Sequence, residues 1–196
     1  MQLLYKTAAV LIAPLCKLCG LKVYGKENIP QGYVPIVAVG NHSSLADPII
    51  LGCAFLPRQI FFVAKKEFEN KFLLGKLFSK LGAIYVDRNA NDLSAIKKSV
   101  AVLKENKVLG IFAEGKRYKG EGLTEFKQGP VFIAYKGDSV IVPVGIRNAS
   151  HLFCFWKRDC EIRIGQPILI DKSEGKLHEI MDIYTDRVKK AVEELI

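Results

Sequence analysis

These 196 residues lack an unbroken apolar run of the length that crosses a bilayer. The longest low-polarity run, Thr7 to Cys16, stops well short of the roughly 20 residues that a spanning helix needs. An even set of cysteines is also lacking. The five present, Cys16, Cys19, Cys53, Cys154 and Cys160, are irregularly spaced, which argues against a disulfide scaffold and for a reducing compartment. Cys16 and Cys19 form a C-x-x-C, but they sit in an apolar helical stretch with no second ligand pair, where cysteine acts as a small packing hydrophobe. Repeats and low-complexity segments are absent. So are the G-x-S-x-G elbow of a serine hydrolase and any recognition-helix, zinc-finger or aromatic RNA-binding signature. Histidine is scarce: His42, His151 and His178 are the only three.

Basic residues are plentiful. Lys and Arg total 29 against 20 Asp and Glu, a formal net charge of +9, and such a surface attracts phosphate on lipid, nucleic acid or a charged substrate. At the N-terminus, residues 3–21 read LLYKTAAVLIAPLCKLCGL. On a helical wheel Gln2, Lys6, Ala13 and Lys17 share a narrow strip, nearly everything else is apolar, and Pro14 marks a kink. A wide apolar face with a thin cationic strip suits a helix lying in a membrane interface. The competing readings are a helix that packs on the core, a cleaved signal peptide, a lipoprotein leader and a spanning segment. No small-residue cleavage site supports the signal peptide, and Leu15 and Leu18 stand where a lipoprotein leader needs a small residue. Segment 1–22 is therefore read as an amphipathic interfacial helix.

Downstream, β-type runs alternate with helical patterns. Strands are expected over 33–40, 59–64, 83–86, 107–112, 140–146 and 161–170, the last near an edge because it contains Pro167. Helices are expected over 48–56, 66–81, 93–105, 128–136 and 176–196. Continuous apolar strands alternating with helices imply one α/β domain over 23–196, a mostly parallel or mixed sheet with helices on both faces.

In such sheets ligands bind beyond the carboxyl ends of the strands. Four expected strands are followed by Asn41-His42-Ser43-Ser44-Leu45-Ala46-Asp47, by Asp87-Arg88, by Glu114-Gly115-Lys116-Arg117 and by Arg147-Asn148. One edge thus collects a histidine, several carboxylates and three arginines. His42 and Asp47 are five positions apart and meet only if the chain turns between them. If they meet, the carboxylate fixes the imidazole tautomer and leaves the other ring nitrogen as a base. Asp47-Pro48 reads equally as a helix N-cap followed by a first-turn proline. Neither His151 nor His178 has a comparable neighbour in sequence. Arg88 and Arg117 have the fork geometry for phosphate, while Lys116, Lys119 and Lys127 add diffuse charge. Glu114 can orient a substrate hydroxyl or pair with Arg117.

These residues resemble a known family, the glycerolipid acyltransferases that make phosphatidic acid. Asn41 to Asp47, NHSSLAD, resembles their N-H-x-x-x-x-D motif; Gly82 to Arg88, GAIYVDR, resembles the second; Phe112 to Arg117, FAEGKR, is similar to F-P-E-G-T-R; and Ile141 to Ile146, IVPVGI, resembles the fourth. Order and spacing agree. Ala113 and Lys116 replace the usual proline and threonine, departures that bear on the turn before Glu114 and on substrate identity. The resemblance implies a glycerolipid acyltransferase-like fold in which Asp47 orients His42. His42 then takes the proton of a lysophosphatidic acid hydroxyl, which attacks the thioester of acyl-CoA or acyl-carrier protein. It assigns Arg88 and Arg117, with Lys127, to the acceptor phosphate, and Glu114 and Gly115 to the glycerol part. It calls for no metal and no prosthetic group, and it places the enzyme as a peripheral or monotopic protein on the cytoplasmic face of the cell membrane. Another lysophospholipid or lipid acceptor on the same machinery is the first alternative, and a non-catalytic basic membrane- or nucleic-acid-binding module is the second.

Overall fold

The computed structural model describes residues 3–69, 72–87, 92–115, 117–118 and 123–196, without the side chains of 3, 4, 72–74 and 77. Helix α1 (Leu3–Leu18) leads into strand β1 (Lys22–Tyr24), and β2 (Ile36–Gly40) follows. Then come α2 (Asp47–Ala54), β3 (Ile60–Lys65), α3 (Phe72–Lys80), β4 (Ile84–Val86), α4 (Leu93–Lys104) and β5 (Val108–Phe112). The chain closes with α5 (Gly129–Lys136), β6 (Val140–Arg147), β7 (Glu161–Ile164) and α6 (Leu177–Glu193). The seven strands form one sheet in the order β1-β7-β6-β2-β5-β3-β4. From β6 to β4 every pairing is parallel; β7 alone runs against β6, and β1 runs with β7. The expected α/β class, mostly parallel and mixed at one side, is what the chain adopts.

Strand alternation builds two cores from one sheet. In β2, Ile36 and Ala38 face the layer of α1 and α2, while Val37 and Val39 face α4, α5 and α6. All four are fully buried, so β2 has to read as a continuous apolar run. Gly110 in β5 lacks the side chain its position would send toward the α1–α2 layer. A methyl group there would come within 2.8 Å of the Phe62 ring, so the glycine is what admits Phe62 at that point of the sheet.

Three expectations change. The strand expected over 161–170 ends at Ile164 and re-pairs only at the Ile168–Ile141 bridge. The cause lies in β6: the Pro143 carbonyl accepts from Gly165 N–H at 2.9 Å, so the donor that proline lacks faces the same neighbour and the ladder breaks there. β7 does lie near an edge, but the outermost strand on that side is β1, which the sequence reading passed over: three exposed residues with no alternation leave no signal. The single helix expected over 66–81 is instead a 3-10 turn, Lys66–Phe68, followed by α3. The turn folds back on α3, and a methyl group at Gly75 would lie 2.2 Å from the Glu69 carbonyl oxygen.

Helix α1 continues through Pro14 and lies along the sheet face over α2. Its first turns reach the start of β3, where Ile60 N–H donates to the Tyr5 hydroxyl. Its end reaches the opposite edge, where Lys22 enters the sheet beside Glu161. Cys16 and Cys19 are buried free thiols, in keeping with the packing role. Cys16 of α1 and Cys53 of α2 belong to one packed cluster, and their proximity lowers the Cys16 pKa and raises that of Cys53. Among the described residues no helix is long and apolar enough to cross a membrane.

Candidate active site

Because β2, β3, β4, β5 and β6 are parallel, their carboxyl ends share one edge, and the site is assembled there from three of them. Beyond Gly40 the backbone ladder stops and a side chain takes over. Asn41 Nδ2 donates to the Ile146 carbonyl (2.9 Å), and Ile146 N–H donates to Asn41 Oδ1 (2.8 Å). The amide thus acts as one more rung between β2 and β6 while freeing the main chain to turn. Asn41→Ala leaves both backbone groups of Ile146 without these partners, and such losses cost about 1–3 kcal/mol each when buried. We expect a loss of roughly 2 kcal/mol in urea unfolding, with a lower midpoint and an unchanged denaturant slope.

The turn presents His42. Its Nδ1 lies 2.7 Å from Asp47 Oδ2, and the same oxygen accepts the N–H groups of Ser43 and Ser44 at 2.8 Å each. Asp47 is wholly buried. A carboxylate oxygen accepts, so Nδ1 carries the proton and Nε2 keeps its lone pair. The ring is held from its face as well, stacked on Phe112 with centroids 4.4 Å apart and planes 14° off parallel. Phe62 lies next in line, 6.4 Å from Phe112. Asp47 is the first residue of α2 but makes no side-chain cap: its carboxylate turns back to the loop and the imidazole, so the capping alternative does not hold. Ser44 Oγ accepts from Ala46 N–H, and among the described residues neither serine hydroxyl bonds the His42 ring.

Glu114, also buried, fixes the backbone under His42. Its Oε1 accepts His42 N–H at 2.9 Å, and its Oε2 accepts the Thr124 hydroxyl at 2.8 Å and N–H at 3.2 Å. No ion pair joins it to Arg117 among the described residues. The Ala113 that replaces proline has an N–H, and this donates to the Gly40 carbonyl at 3.4 Å, a contact proline cannot make. Gly115 has φ +67°, and a methyl group on it would lie 3.3 Å from Lys127 Cε, so glycine admits both the left-handed turn and the lysine. Arg117 is exposed at the rim, where the N–H of the next residue, Tyr118, donates to the His42 carbonyl at 2.8 Å. Arg88, Lys116 and Lys119 lie outside the described residues. Arg147 is exposed and Asn148 turns the chain away in a left-handed conformation.

His151 does have an acidic partner, contrary to the sequence reading. Its Nδ1 lies 2.9 Å from Asp159 Oδ1, a contact that holds the Asp159 pKa below the usual carboxylate range. Its Nε2, however, is held 2.8 Å from Lys157 Nζ, which leaves no free ring nitrogen. Sequence reasoning also missed Phe112 as the stacking partner and Thr124 as the anchor of Glu114. An aromatic residue at the end of an expected strand was the one available signal for the former.

An α/β sheet whose carboxyl edge carries a carboxylate-oriented histidine beside basic side chains is built for group transfer to or from a polar acceptor. Residues 20–147 match the Acyltransferase family, which makes the chain an acyltransferase. The 1-acyl-sn-glycerol-3-phosphate acyltransferase of Bacillus subtilis is 38% identical over 151 residues, 76% of this chain and 74% of that protein. The enzyme of the same name from Borreliella burgdorferi is 28% identical over 190 residues, 90% and 74% of the two chains. The crystal structure of the 1-acyl-sn-glycerophosphate acyltransferase from Thermotoga maritima superposes with a TM-score of 0.71 at 26% identity, over 97% of this chain and 80% of that one. The chain belongs to the 1-acyl-sn-glycerol-3-phosphate acyltransferase family, as its motifs led us to expect.

Proposed function

We propose that the protein moves a fatty acyl group from a thioester carrier, acyl-CoA or acyl-carrier protein, to the sn-2 hydroxyl of lysophosphatidic acid, yielding phosphatidic acid. The 2.7 Å contact between His42 Nδ1 and Asp47 Oδ2 carries this reading, because it leaves Nε2 as the free base. Nε2 takes the hydroxyl proton as the oxygen forms its bond to the thioester carbonyl carbon. The tetrahedral intermediate collapses, the C–S bond breaks, and the departing sulfur receives the proton from the imidazolium. Asp47 stabilises that imidazolium, and a positioned base such as His42 is worth about 10²–10⁴-fold in rate. Glu114 acts as a positioning residue through the His42 N–H. Arg117 and Lys127 bind the acceptor phosphate at the rim, the motif that contains Arg88 assigns that residue to the same phosphate, and Gly115 leaves room for the glycerol part. No metal or prosthetic group takes part. The apolar outer face of α1 lies in the bilayer interface at the cytoplasmic side of the membrane, from which the lipid acceptor enters.

The test compares initial rates with lysophosphatidic acid and with the same monoacylglycerol lacking phosphate. Lysophosphatidic acid is expected to be preferred, and Arg117→Ala to raise its KM about tenfold, the effect of losing about 1.4 kcal/mol of binding, with little change in kcat. Equal rates with the two acceptors would remove the phosphate from the reading and favour another lipid acceptor.

A further inference from the structure

The connection from β6 to β7, residues 148–160, exposes three large aromatic side chains that the fold does not use. Phe153 is 51% exposed, Phe155 54% and Trp156 81%. Large aromatics at the tip of an ordinary loop need no explanation when the loop is loose, but this one is built. Ala149, Leu152 and Cys160 anchor it in the core. Asn148 Nδ2 donates to the Asp159 carbonyl, and His151 bridges Asp159 and Lys157. Successive turns close through Cys154 N–H to the His151 carbonyl (2.8 Å) and Lys157 N–H to the Cys154 carbonyl (3.0 Å). The aromatics are therefore held outward by a braced backbone, at the cost of exposing apolar surface to water.

Two further observations say what covers them. Strand β6 runs parallel to β2, so this loop leaves the sheet at the edge where His42 stands. The loop is also joined to the end of α1: Arg158 Nη1 donates to the Leu18 carbonyl at 2.9 Å, and a methyl group on Gly20 would lie 2.7 Å from Arg158 Cβ. The apolar residues that α1 exposes, Val10, Leu11, Leu15 and Leu18, thus run toward the loop. Lys17, Lys157 and Arg158 are exposed at the same junction. Aromatic rings beside cations are the composition that settles at the headgroup level of an anionic bilayer.

We propose that the 148–160 loop is a second membrane contact, which seats Phe153, Phe155 and Trp156 among the headgroups of anionic phospholipids and sets the His42 edge against the bilayer. This rests on the interfacial reading of α1 and extends it: a single helix fixes the protein to the surface, and a second contact off its axis fixes which edge faces the lipid.

Trp156 is the only tryptophan of the chain, so emission excited at the red edge, beyond tyrosine absorption, reports on this loop alone. With vesicles of equal parts phosphatidylglycerol and phosphatidylcholine, its emission is expected to move to the blue and to be quenched more by lipids brominated near the headgroup than by lipids brominated deep in the chain. Phe153→Ser combined with Phe155→Ser keeps the reporter and removes two exposed rings. It is expected to weaken vesicle binding about tenfold while leaving acyl transfer in detergent micelles unchanged. Cosedimentation of the wild type with unaltered Trp156 emission overturns the loop contact and spares the helix. Failure to cosediment overturns the interfacial reading of α1 and this inference with it. A blue shift that needs protein concentration but no lipid assigns the surface to a second copy and overturns the proposal.

Discussion

Replacing His42 by alanine is expected to lower kcat for acyl transfer to lysophosphatidic acid by about 10³-fold, within the range by which general bases accelerate proton transfer. The effect should be chemical rather than structural. The imidazole is not a core residue: 16% of its side chain remains exposed, and its partner is the wholly buried Asp47. In the variant, Asp47 Oδ2 still accepts from Ser43 and Ser44, so the loop keeps its shape. His42 N–H still meets Glu114, because that bond belongs to the backbone. The midpoint of thermal unfolding should therefore move little, and KM for lysophosphatidic acid should hold, since the residues proposed to grip the phosphate are others. Activity above a tenth of the wild-type rate on lipid vesicles, from a pure and folded variant, would mean that the base is another group.

Asp47→Asn should have the second-largest effect, for a different reason. Two backbone N–H groups aim at Oδ2, so the amide of asparagine must place its oxygen there and its NH₂ where Oδ1 stood. That keeps the His42 tautomer correct. What is lost is the negative charge facing the ring when it becomes imidazolium, and we expect kcat to fall about 10²-fold. The new NH₂ sits where Oδ1 is buried with no hydrogen-bond partner among the described residues. An unpaired buried polar group there should cost about 1–3 kcal/mol in urea unfolding. Asp47→Ala removes all three hydrogen bonds and should be less stable still, by about 2–4 kcal/mol against wild type. The two variants separate the roles: asparagine tests charge while the loop is held, and alanine tests both. An asparagine variant within threefold of wild-type kcat would leave Asp47 a purely structural residue.

How much could be read in advance follows from how far apart the partners lie. The His42–Asp47 contact spans five positions, and a histidine, two serines and an Asp-Pro at a strand end are enough to suggest the turn that closes it. The Glu114–His42 bond spans 72 positions and the Asn41–Ile146 pair 105. Neither has a local signature, and the same Glu114 was compatible in sequence with a substrate contact or an arginine pair. His151 and Asp159 are only eight positions apart, yet the chain between them takes a left-handed backbone angle at Arg158, which that residue type does not announce. The early end of β7 was not legible: Pro167 pointed only to a strand near an edge, whereas Pro143 in the neighbouring strand breaks the ladder.

The amino-acid order alone settled the layered α/β class, because strands buried on both faces must be apolar throughout, and it settled which chemical groups follow each strand. From this came the family resemblance that the comparisons with relatives later upheld. It did not settle strand order, the edge strand β1, or what holds the His42 loop. Strand order and edge depend on backbone hydrogen bonds whose donors and acceptors are the same at every residue, and the loop depends on the Glu114 and Asn41 side chains, whose partners lie 72 and 105 positions away, so only register and closure in three dimensions decide which of them meet.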